Sequence, residues 1–335
     1  MITSRDEHDR MGARMTVSSR MWTGQGERDD VIVPLAPGEN AAHPIDDRHY
    51  FEHWYFDALL DDGHMVIGFV QTSELVRRKP GVELHVYKPG GEKLSVIRSY
   101  PNKDVTASVN GCDVRVGDNR CYASLDDGSL PVHHLHLAED DMEFDLTFEN
   151  LMPGWKPGVG RADYNDREFF AWIVPAPKAR VSGTVRFEGT RLDASGTGYH
   201  DHNWGVGDMK RIIDHWYWGR VYAGDYTLLY AYVITTAGYE LVTRPLMLAL
   251  GDEIVLSTGE MELESGPSVF DARGERRARG RSPGWRPARS AAPARQRAGR
   301  RGSSPSTPAR PSPAGPWGRG SACRSSRRGQ VSRRG

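Results

Sequence analysis

The sequence predicts an all-β protein built as an antiparallel barrel or sandwich, on three observations. Apolar and polar residues alternate with a period of two through most of residues 46–270, which is the pattern of half-buried strands. Gly, Pro, Asn and Asp cluster between the apolar segments and mark turns. No segment carries an apolar helical stripe longer than about two turns. Many short strands at this spacing favour a closed or two-layered antiparallel sheet with room for an apolar ligand.

The predicted strands follow one another along the chain and are separated by turn signals such as DDGH, KPGGEK, VGDNR and AGDY. In chain order they are HWYFDALL, HMVIGFVQT, ELHVYK, KLSVIRSY, CDVRVG, RCYASL, VHHLHL, MEFDLTFEN, FFAWIVPAP, RVSGTVRFEG, HWYWGRVYAG and YTLLYAYVIT. The DVRVGDNR stretch between Cys112 and Cys121 predicts a hairpin that could bring the two thiols opposite each other. The sequence has no phosphate-binding glycine loop, paired CxxC motif or GxSxG elbow, so nucleotide enzymes, zinc ribbons and serine hydrolases have no support.

The formal net charge of zero hides a strong asymmetry between the two ends of the chain. Residues 271–335 contain 18 Arg, no Lys and two acids (+16), whereas residues 1–270 contain 26 basic and 42 acidic residues (−16). Arg, Ala, Gly, Pro and Ser supply 56 of the 65 tail residues, a composition that cannot bury a core. GC-rich DNA read out of frame gives the same composition. We therefore expect a disordered tail produced by a frameshift near Asp271, rather than a nucleic-acid-binding arm.

The N-terminal residues 1–45 are polar and charged, and we expect them to form a loose segment. They lack the apolar core of a signal peptide, and no apolar run in the sequence approaches the roughly 18 residues of a membrane span. Three cysteines are too few for a disulfide framework. The sequence therefore predicts a cytoplasmic protein with reduced thiols, no transmembrane segment and no specific nucleic-acid partner. Peripheral contact with a membrane stays open.

Aromatic residues concentrate in two stretches, HYFEHWYFD at 49–57 and HWYWGRVYAGDYTLLYAYV at 215–233. Because alternate residues of a strand share a face, Trp216, Trp218 and Arg220 point to one side of the second stretch. A barrel core explains such rings as well as a ligand pocket does. The pocket interpretation is favoured by the polar atoms of Tyr and Trp, which need partners, and by the charge that Arg220 places beside the rings.

The stretch GTGYHDHNWG, which begins at Gly196, concentrates hydrogen-bonding groups on one predicted strand. By strand parity two sets share a face, namely His200, His202 and Trp204, and on the other side Tyr199, Asp201 and Asn203. Three interpretations remain open: a metal site, a proton-transfer site, and a buried polar clamp that closes the barrel. The His-x-His spacing supplies two metal ligands, and the candidates for a third are His53, His134, His136 and His215. None of these carries a second metal signature, so no metal is expected.

Three motifs in order carry a resemblance to a known family. YFEHWYFDALLDDG, GTGYHDHNWG and HWYWGRVYAGDY together resemble hydroxyneurosporene synthase (carotenoid 1,2-hydratase) and the AttH-type lipocalin-like proteins, over about residues 48–250. The resemblance implies two consecutive lipocalin-like β-domains with the active pocket at their junction. It places the first domain at 46–235, and a second begins at 236–270 and is truncated where the tail begins. It also implies a cofactor-free enzyme that acts on an apolar polyene, isoprenoid or polyketide.

The resemblance carries over residue by residue only in part. His202 and Trp204 match residues that line the family's pocket. The carotenoid hydratases use an Asp in the strand after the WGR motif, and here that strand, TLLYAYV, has tyrosines but no carboxylate. Strand parity and the resemblance together predict that His202 and Trp204 face a cavity with Trp218 and Arg220.

The expected catalytic groups are Asp201 with His200 or His202, because a carboxylic acid raised in pKa by burial, or an imidazolium beside it, can protonate an alkene. The expected substrate-binding residues are Trp204, Asn203, Trp216, Trp218, Arg220, Tyr230, Glu52, Trp54 and Tyr55. Alkene hydration is the main hypothesis, and the alternatives are a Diels–Alderase-type cyclase of secondary metabolism and a non-catalytic carrier of hydrophobic ligands. In each case the partner is a hydrophobic small molecule, and no cofactor is expected.

Overall fold

A computed structural model of the chain describes residues 32, 35–125, 130–239, 241–263, 268–270 and 276–278. These residues form antiparallel sheets with very little helix, so the predicted all-β class is confirmed. The first sheet contains β1 (Tyr50–Leu60), β2 (Met65–Ser73), β3 (Gly81–Tyr87), β4 (Lys93–Ser99), β5 (Val105–Ala107), β6 (Asp113–Val116), β7 (Asn119–Ser124), β8 (Val132–Glu139), β9 (Met142–Asn150), β10 (Arg161–Asp163), β11 (Phe169–Phe187) and β12 (Thr190–Val206). The second contains β13 (Ile213–Ala223), β14 (Tyr226–Thr235), β15 (Val242–Thr243), β16 (Leu246–Leu250) and β17 (Glu253–Thr258).

Helical segments among the described residues are single turns that join or precede strands. They are two 3₁₀ turns, Pro37–Asn40 and Asn102–Asp104, and one α-helical turn, α1, at Met209–Ile212. The described residues contain no helix with the length and apolar character needed to cross a bilayer.

The first sheet has the order β4-β3-β2-β1-β12-β11-β9-β8-β7-β6-β5, and β10 pairs with β11. It curls so that β2 and β3 lie against β6, β7 and β8 across a shared apolar interior. The side chains of Leu135 and Leu137 on β8 approach the backbone of Gly68 on β2. Trp54 and Phe56 of β1 are fully buried in the same interior. Alternation along each strand therefore places one face inside the curled sheet and the other outside it.

The longest strands, β11 and β12, form one hairpin through the centre of the sheet. Its two-residue turn is Glu188–Gly189, with φ angles of 48° and 73°, and two consecutive positive φ angles define the turn type that suits a twisted hairpin. The sequence predicts FFAWIVPAP and RVSGTVRFEG as separate strands, whereas the structure has one continuous strand. Register shifts on either side of Ala176 absorb Pro175 and Pro177, which cannot donate to the ladder.

The second sheet, in the order β13-β14-β16-β17, packs on the outer face of β11 and β12. Leu229 of β14 and Met247 of β16 are fully buried against Trp172 and Tyr199 of the first sheet. The change of sheet falls at residues 207–212, so β13 and β14 pair with strands after residue 241 rather than with the first sheet. The domain bounds 46–235 and 236–270 stay a prediction beside this observed division.

The end of the predicted loose segment 1–45 is ordered, which corrects the expectation for its last residues. Asn40 is buried, its carbonyl oxygen accepts a hydrogen bond from Trp54 Nε1 (3.2 Å), and Ala41 and Ala42 are also buried. The segment is held because Trp54 needs an acceptor inside the apolar interior. Residues 1–31 lie outside the described residues.

Most of the predicted tail 271–335 also lies outside the described residues. Within it the structure has one strand, β19 (Arg276–Ala278), paired with β18 (Ser268–Phe270). These three residues complete a two-stranded ladder, and the expectation of a disordered tail stays a prediction for the rest of 271–335. The proposed frameshift stays a prediction.

The predicted hairpin between the two cysteines is confirmed as β6 and β7. Cys112 and Cys121 are both buried and both free thiols, as the sequence predicts.

Candidate active site

Strand β12 presents two different sets of side chains to two different surroundings. It lies between β1 and β11, with Asp201 opposite Tyr55 and His202 opposite Trp54. His202 stacks on Trp54 (ring centroids 4.1 Å apart) inside the curled first sheet. Tyr199, two residues before Asp201, is instead buried against the second sheet. The predicted parity of the strand is therefore confirmed: even positions face the first sheet's interior, and odd positions face the second sheet.

Asp201 is the centre of the polar contacts on the odd face. Its carboxylate accepts hydrogen bonds from Tyr199 Oη (2.8 Å), Trp172 Nε1 (3.2 Å) and Asn203 Nδ2 (2.7 Å). Only 7% of the residue is exposed. Burial raises the pKa of Asp201 to about 7, and the nearby charge of Asp57 adds to the rise, although the three donors work against it. Asp201 is therefore an acid that still carries its proton near neutral pH.

A buried ion pair lies next to Asp201, between Asp57 of β1 and Arg220 of β13. Arg220 donates to both carboxylate oxygens, with a distance of 2.7 Å from Nη1 to Oδ2. Tyr55 Oη donates to the same carboxylate (2.7 Å). Burial acts against the charge of Arg220, but the carboxylate of Asp57 outweighs it, so the pKa of Arg220 lies above its ordinary value. The pair joins the two sheets at the site.

Aromatic rings surround these polar groups. Trp218 of β13 contacts Tyr199 (5.2 Å between centroids) and Tyr55 (6.2 Å) in edge-on geometry. The guanidinium of Arg220 lies 4.8 Å from the Tyr199 ring centroid and 5.7 Å from that of Trp218. Trp218 Nε1 is buried and has no hydrogen-bond partner. Because a buried indole N–H is normally paired, this N–H is an available donor, and it lies beside Tyr199, which itself donates to Asp201.

The even face holds a separate polar cluster around Glu52 of β1. Its carboxylate lies 3.1 Å from His202 Nε2 and accepts hydrogen bonds from the His43 backbone N–H (2.7 Å), Thr72 Oγ1 (3.2 Å) and Tyr50 Oη. Burial would raise the pKa of Glu52, but these partners outweigh it and lower the pKa to about 2. The ring of His43 stacks on Trp204 at 3.8 Å. On this face the Glu52 carboxylate is fully paired, whereas Nδ1 of His202 is buried without a hydrogen-bond partner.

The predicted grouping of His202 and Trp204 with Trp218 and Arg220 is wrong. The second sheet packs only on the odd face of β12, so Trp218 and Arg220 meet Tyr199 and Tyr55, whereas His202 and Trp204 lie on the opposite face. Pairing of Asp201 with His200 or His202 is excluded for the same reason, because neighbouring residues of a strand point to opposite faces.

The other expected binding residues divide between the two faces and the strand ends. Tyr55 and Asn203 contact the odd-face site, and Glu52 and Trp54 belong to the even-face network. Trp216 lies nearer the start of β13 than Trp218 and is 36% exposed. Tyr230 of β14 lies opposite Gly219 of β13.

Sequence reasoning missed three residues that the structure places at Asp201: Asp57, Trp172 and Tyr199. Asp57 lies two residues from Tyr55 and therefore on the same strand face, which is a signal that parity alone could have used. Parity did place Tyr199 on the face of Asp201, but Tyr199 was not included among the expected site residues. Trp172 comes from β11, and only the observed pairing of β11 with β12 brings it to the site.

Two groups of side chains among the described residues could hold a metal ion, and neither uses the predicted third ligands. His43 and Glu52 lie near His202, and Cys112 and His133 lie near His200. The four histidines proposed from the sequence are in neither group. In each group the donor atoms lie within 4.8 Å of one another.

Comparison with known proteins identifies the family. The model of a family described as a domain of unknown function (DUF7064) matches residues 36–263. The chain belongs to this family. The match covers both sheets and the site at their junction, and it ends before the Arg-rich tail begins.

Two relatives of the chain carry different reactions in their names. Hydroxyneurosporene dehydrogenase of Chlorobaculum tepidum is 25% identical in an alignment of 252 residues that covers 63% of this chain and 64% of that protein. Quinolone epoxide rearrangement protein asqO of Emericella nidulans is 34% identical in an alignment of 218 residues that covers 57% of this chain and 56% of that protein. The chain thus spans less than two thirds of the length of these relatives.

Solved structures agree on the fold. An AttH protein of Nitrosomonas europaea superposes with a TM-score of 0.52 at 14% identity, over 72% of this chain and 78% of that one. CghA in complex with Sch210972 gives a TM-score of 0.50 at 16% identity, over 71% and 68%. The predicted resemblance to hydroxyneurosporene synthase and AttH-type lipocalin-like proteins is confirmed.

Proposed function

We propose that this chain is a lipocalin-like enzyme that adds water to an alkene of an apolar polyene, isoprenoid or polyketide, with Asp201 as the acid. The observation that carries the proposal is a buried carboxyl group whose pKa is raised to about 7, lying among aromatic rings at the junction of two sheets. An acid with a pKa near the working pH is well suited to deliver a proton and to take it back.

The reaction proceeds by protonation of the alkene, which forms a carbocation, and then by addition of water to that carbocation. The O–H bond of the Asp201 carboxyl breaks as the alkene π electrons form a new C–H bond, which leaves a carbocation on the substrate. The faces of Trp218 and Tyr55 attract this positive charge. Water then attacks the cation, and Asp201 takes up the proton that the water loses. The substrate would enter between β1 and β13, where Trp218 and Tyr55 are only partly buried.

The Asp57–Arg220 pair has a positioning role in this proposal. Because the guanidinium is neutralised by the carboxylate, its charge does not oppose a neighbouring carbocation. Asp57 also anchors Tyr55 through the hydroxyl hydrogen bond and raises the pKa of Asp201. The free N–H of Trp218 could hold an oxygen atom of the substrate.

The predicted catalytic roles of His200 and His202 are not part of this proposal. Both rings lie on the even face, and burial lowers the pKa of each, so they are neutral and separated from Asp201 by the strand itself. We assign them to the first sheet's interior instead.

Rearrangement of an epoxide is the second candidate function. Acid-assisted opening of an epoxide needs the same proton donor and a second donor for oxygen, which Asp201 and Trp218 Nε1 could supply. It is supported by the name of the Emericella nidulans relative. A cyclase would need the donor but no proton transfer, and a carrier would need neither. A cytoplasmic location and an apolar small-molecule partner stay predictions.

The test is hydration of neurosporene in ¹⁸O-labelled water, followed by mass spectrometry. The full chain should form a hydroxylated product that carries the label, and Asp201→Asn should reduce its rate by about 10²–10⁴-fold because the proton donor is removed. The matched control is Asp193→Asn, the same change on the same strand at a residue that is 92% exposed.

Substrate that binds without labelled product would support the carrier, and product formation that survives Asp201→Asn would refute the role of the acid. Conversion of a quinolone epoxide without hydration of neurosporene would favour the second candidate.

A further inference from the structure

Cys112, His133 and His200 form a second cluster on the even face of β12, which we call the thiol–imidazole cluster. The three residues come from separate parts of the first sheet: Cys112 directly precedes β6, His133 lies on β8 and His200 on β12. All three are buried, and their donor atoms lie within 4.8 Å of one another. The rings of His133 and His200 meet edge-on at 4.8 Å. The cluster is separate from Asp201, whose side chain lies on the opposite face.

His133 lacks any hydrogen-bond partner for its ring. It is 1% exposed, yet neither Nδ1 nor Nε2 has a partner in the structure. Buried polar side chains are normally paired, and an imidazole with both nitrogens unpaired in an apolar interior loses the interactions that it has in water. Asn40 Oδ1, beside the cluster, is also buried and unpaired. The cluster therefore contains buried polar atoms that a ligand between them would satisfy.

His200 is oriented as a metal ligand would be. Its Nδ1 lies 2.9 Å from the Tyr55 carbonyl oxygen, and a carbonyl can only accept, so Nδ1 carries the hydrogen. The lone pair is therefore on Nε2, which points to Asn40 Nδ2 at 3.0 Å. Histidines that bind metals usually donate their other N–H to a carbonyl or carboxylate in this way.

A cavity of about 390 Å³ opens onto the cluster. Cys112, His133 and Asn40 form part of its lining, together with Leu35, Pro131 and Pro175. A hydrated cation therefore has a route to the donors, and a metal bound there would have a side that faces the cavity.

We propose that the thiol–imidazole cluster binds a zinc ion through Cys112 Sγ, His133 and His200 Nε2, with the fourth coordination position open to the cavity. One sulfur and two imidazole nitrogens favour zinc over magnesium or calcium, which prefer oxygen. Binding draws the donors together, because ligand atoms of tetrahedral zinc lie about 3.3–3.8 Å apart. The thiol proton leaves to solvent, and the Asn40 amide rotates away from Nε2.

Zinc at this position would join β8, β12 and the start of β6 across the interior of the first sheet. It differs from the sequence-based expectation that the chain holds no metal, and it gives His200 a ligand role in place of the predicted catalytic one. The proposed acid reaction does not depend on it, because Asp201 and its partners lie on the other side of the strand.

The test is titration of the metal-free full chain, carrying Cys323→Ser, with Co²⁺ and then Zn²⁺. Cobalt bound by a thiolate gives an intense near-ultraviolet band, and the band should saturate at about one ion per chain and disappear when zinc displaces cobalt. Cys112→Ser and His133→Ala should remove the band or weaken binding by about tenfold or more. Circular dichroism of each variant checks that the sheets are retained.

Two matched controls distinguish the proposal from other sites. Cys121→Ser changes the neighbouring buried thiol, and His134→Ala changes the next residue of β8, whose ring stacks on Tyr122 instead. Both variants should keep the band, as should His43→Ala in the other candidate group. No stoichiometric binding, a band that survives Cys112→Ser, or a band that Cys121→Ser removes would each overturn the proposal.

Discussion

Asp201 and Glu52 show how a buried carboxyl group acquires its role from its partners. Both are nearly inaccessible to water, but burial dominates at Asp201 and raises its pKa to about 7. At Glu52 burial would raise the pKa, but His202, His43 and Tyr50 outweigh it and lower the pKa to about 2. One carboxyl is therefore held as an acid and the other as a permanent anion. The two lie on opposite faces of neighbouring strands.

The pH dependence of the reaction is a prediction at this scale. Because Asp201 must be protonated to act, kcat/KM should stay level below about pH 7 and fall by about tenfold per pH unit above it. A pH–rate profile with neurosporene measures this. A rate that rises through pH 7 would show that a base, not Asp201, limits the reaction.

The same pKa shift affects the stability of the fold. The folded pKa of Asp201 lies above the ordinary value of 3.8, so the folded chain holds a proton that the unfolded chain has lost between these values. The stabilisation of the folded state by this Asp201 proton is fully present below about pH 3.8 and is lost as the pH rises through about 7. In Asp201→Asn the free energy of unfolding should no longer decrease for this reason between pH 3.8 and 7. Denaturant titration across this range measures the difference from the unchanged chain.

Part of this site is readable from the sequence. The strand parity that separates Asp201 from His202 follows from alternation alone, because it depends on local backbone geometry. Which face of β12 meets Trp218 and Arg220 does not, because it depends on how a second sheet packs on the first. No local pattern records that choice. The incorrect grouping of His202 with Arg220 therefore came from the packing of one sheet on the other, and the side-chain alternation within β12 was predicted correctly.

At the scale of the element, β12 depends on close approach to its neighbours. A Cβ atom on Gly196 would lie 2.2 Å from the backbone oxygen of Leu59 on β1. The sequence indicates such an approach from the glycines around HDHNW, and the structure identifies the neighbouring backbone. Strand order, in contrast, is not a local property: β1 pairs with β12 across the whole first sheet.

Gly196→Ala should therefore destabilise the chain by about 1–3 kcal/mol, since backbone atoms must move apart to admit the methyl group. Thermal unfolding followed by circular dichroism measures the effect. Gly90→Ala is the matched control, because a Cβ there meets no atom within 4 Å and its effect should be near zero. Equal melting temperatures for both variants would show that the ladder yields easily at Gly196.

At the scale of the whole molecule, the charge of the chain is divided between an acidic body and an Arg-rich end. The fold class was predictable because period two persists through 46–270. The assignment of strands to the two sheets was not predictable, because β13 and β14 have a composition that suits either sheet.

Brief digestion with trypsin tests the predicted tail. It should trim the chain to near residue 270 and leave a product that keeps its β spectrum, because the tail composition cannot form a core. Mass spectrometry gives the new end. A tail that resists digestion would contradict the prediction, and sequencing of the DNA around codon 271 tests the frameshift independently.

The hairpin of β11 and β12 has a consequence for how the chain is made. β12 meets β11 across a turn of two residues, but Glu52 of β1 meets His202 of β12 across 150 residues. A ribosome adds about 5–20 residues per second, so on the order of ten seconds pass between the synthesis of β1 and that of its partner strand β12. During that interval the apolar side chains of β1 and β2 have no completed sheet to cover them. The nascent chain is therefore most prone to aggregation before the β11–β12 hairpin has been synthesised. After that, β1 pairs with a hairpin whose two strands are already in register.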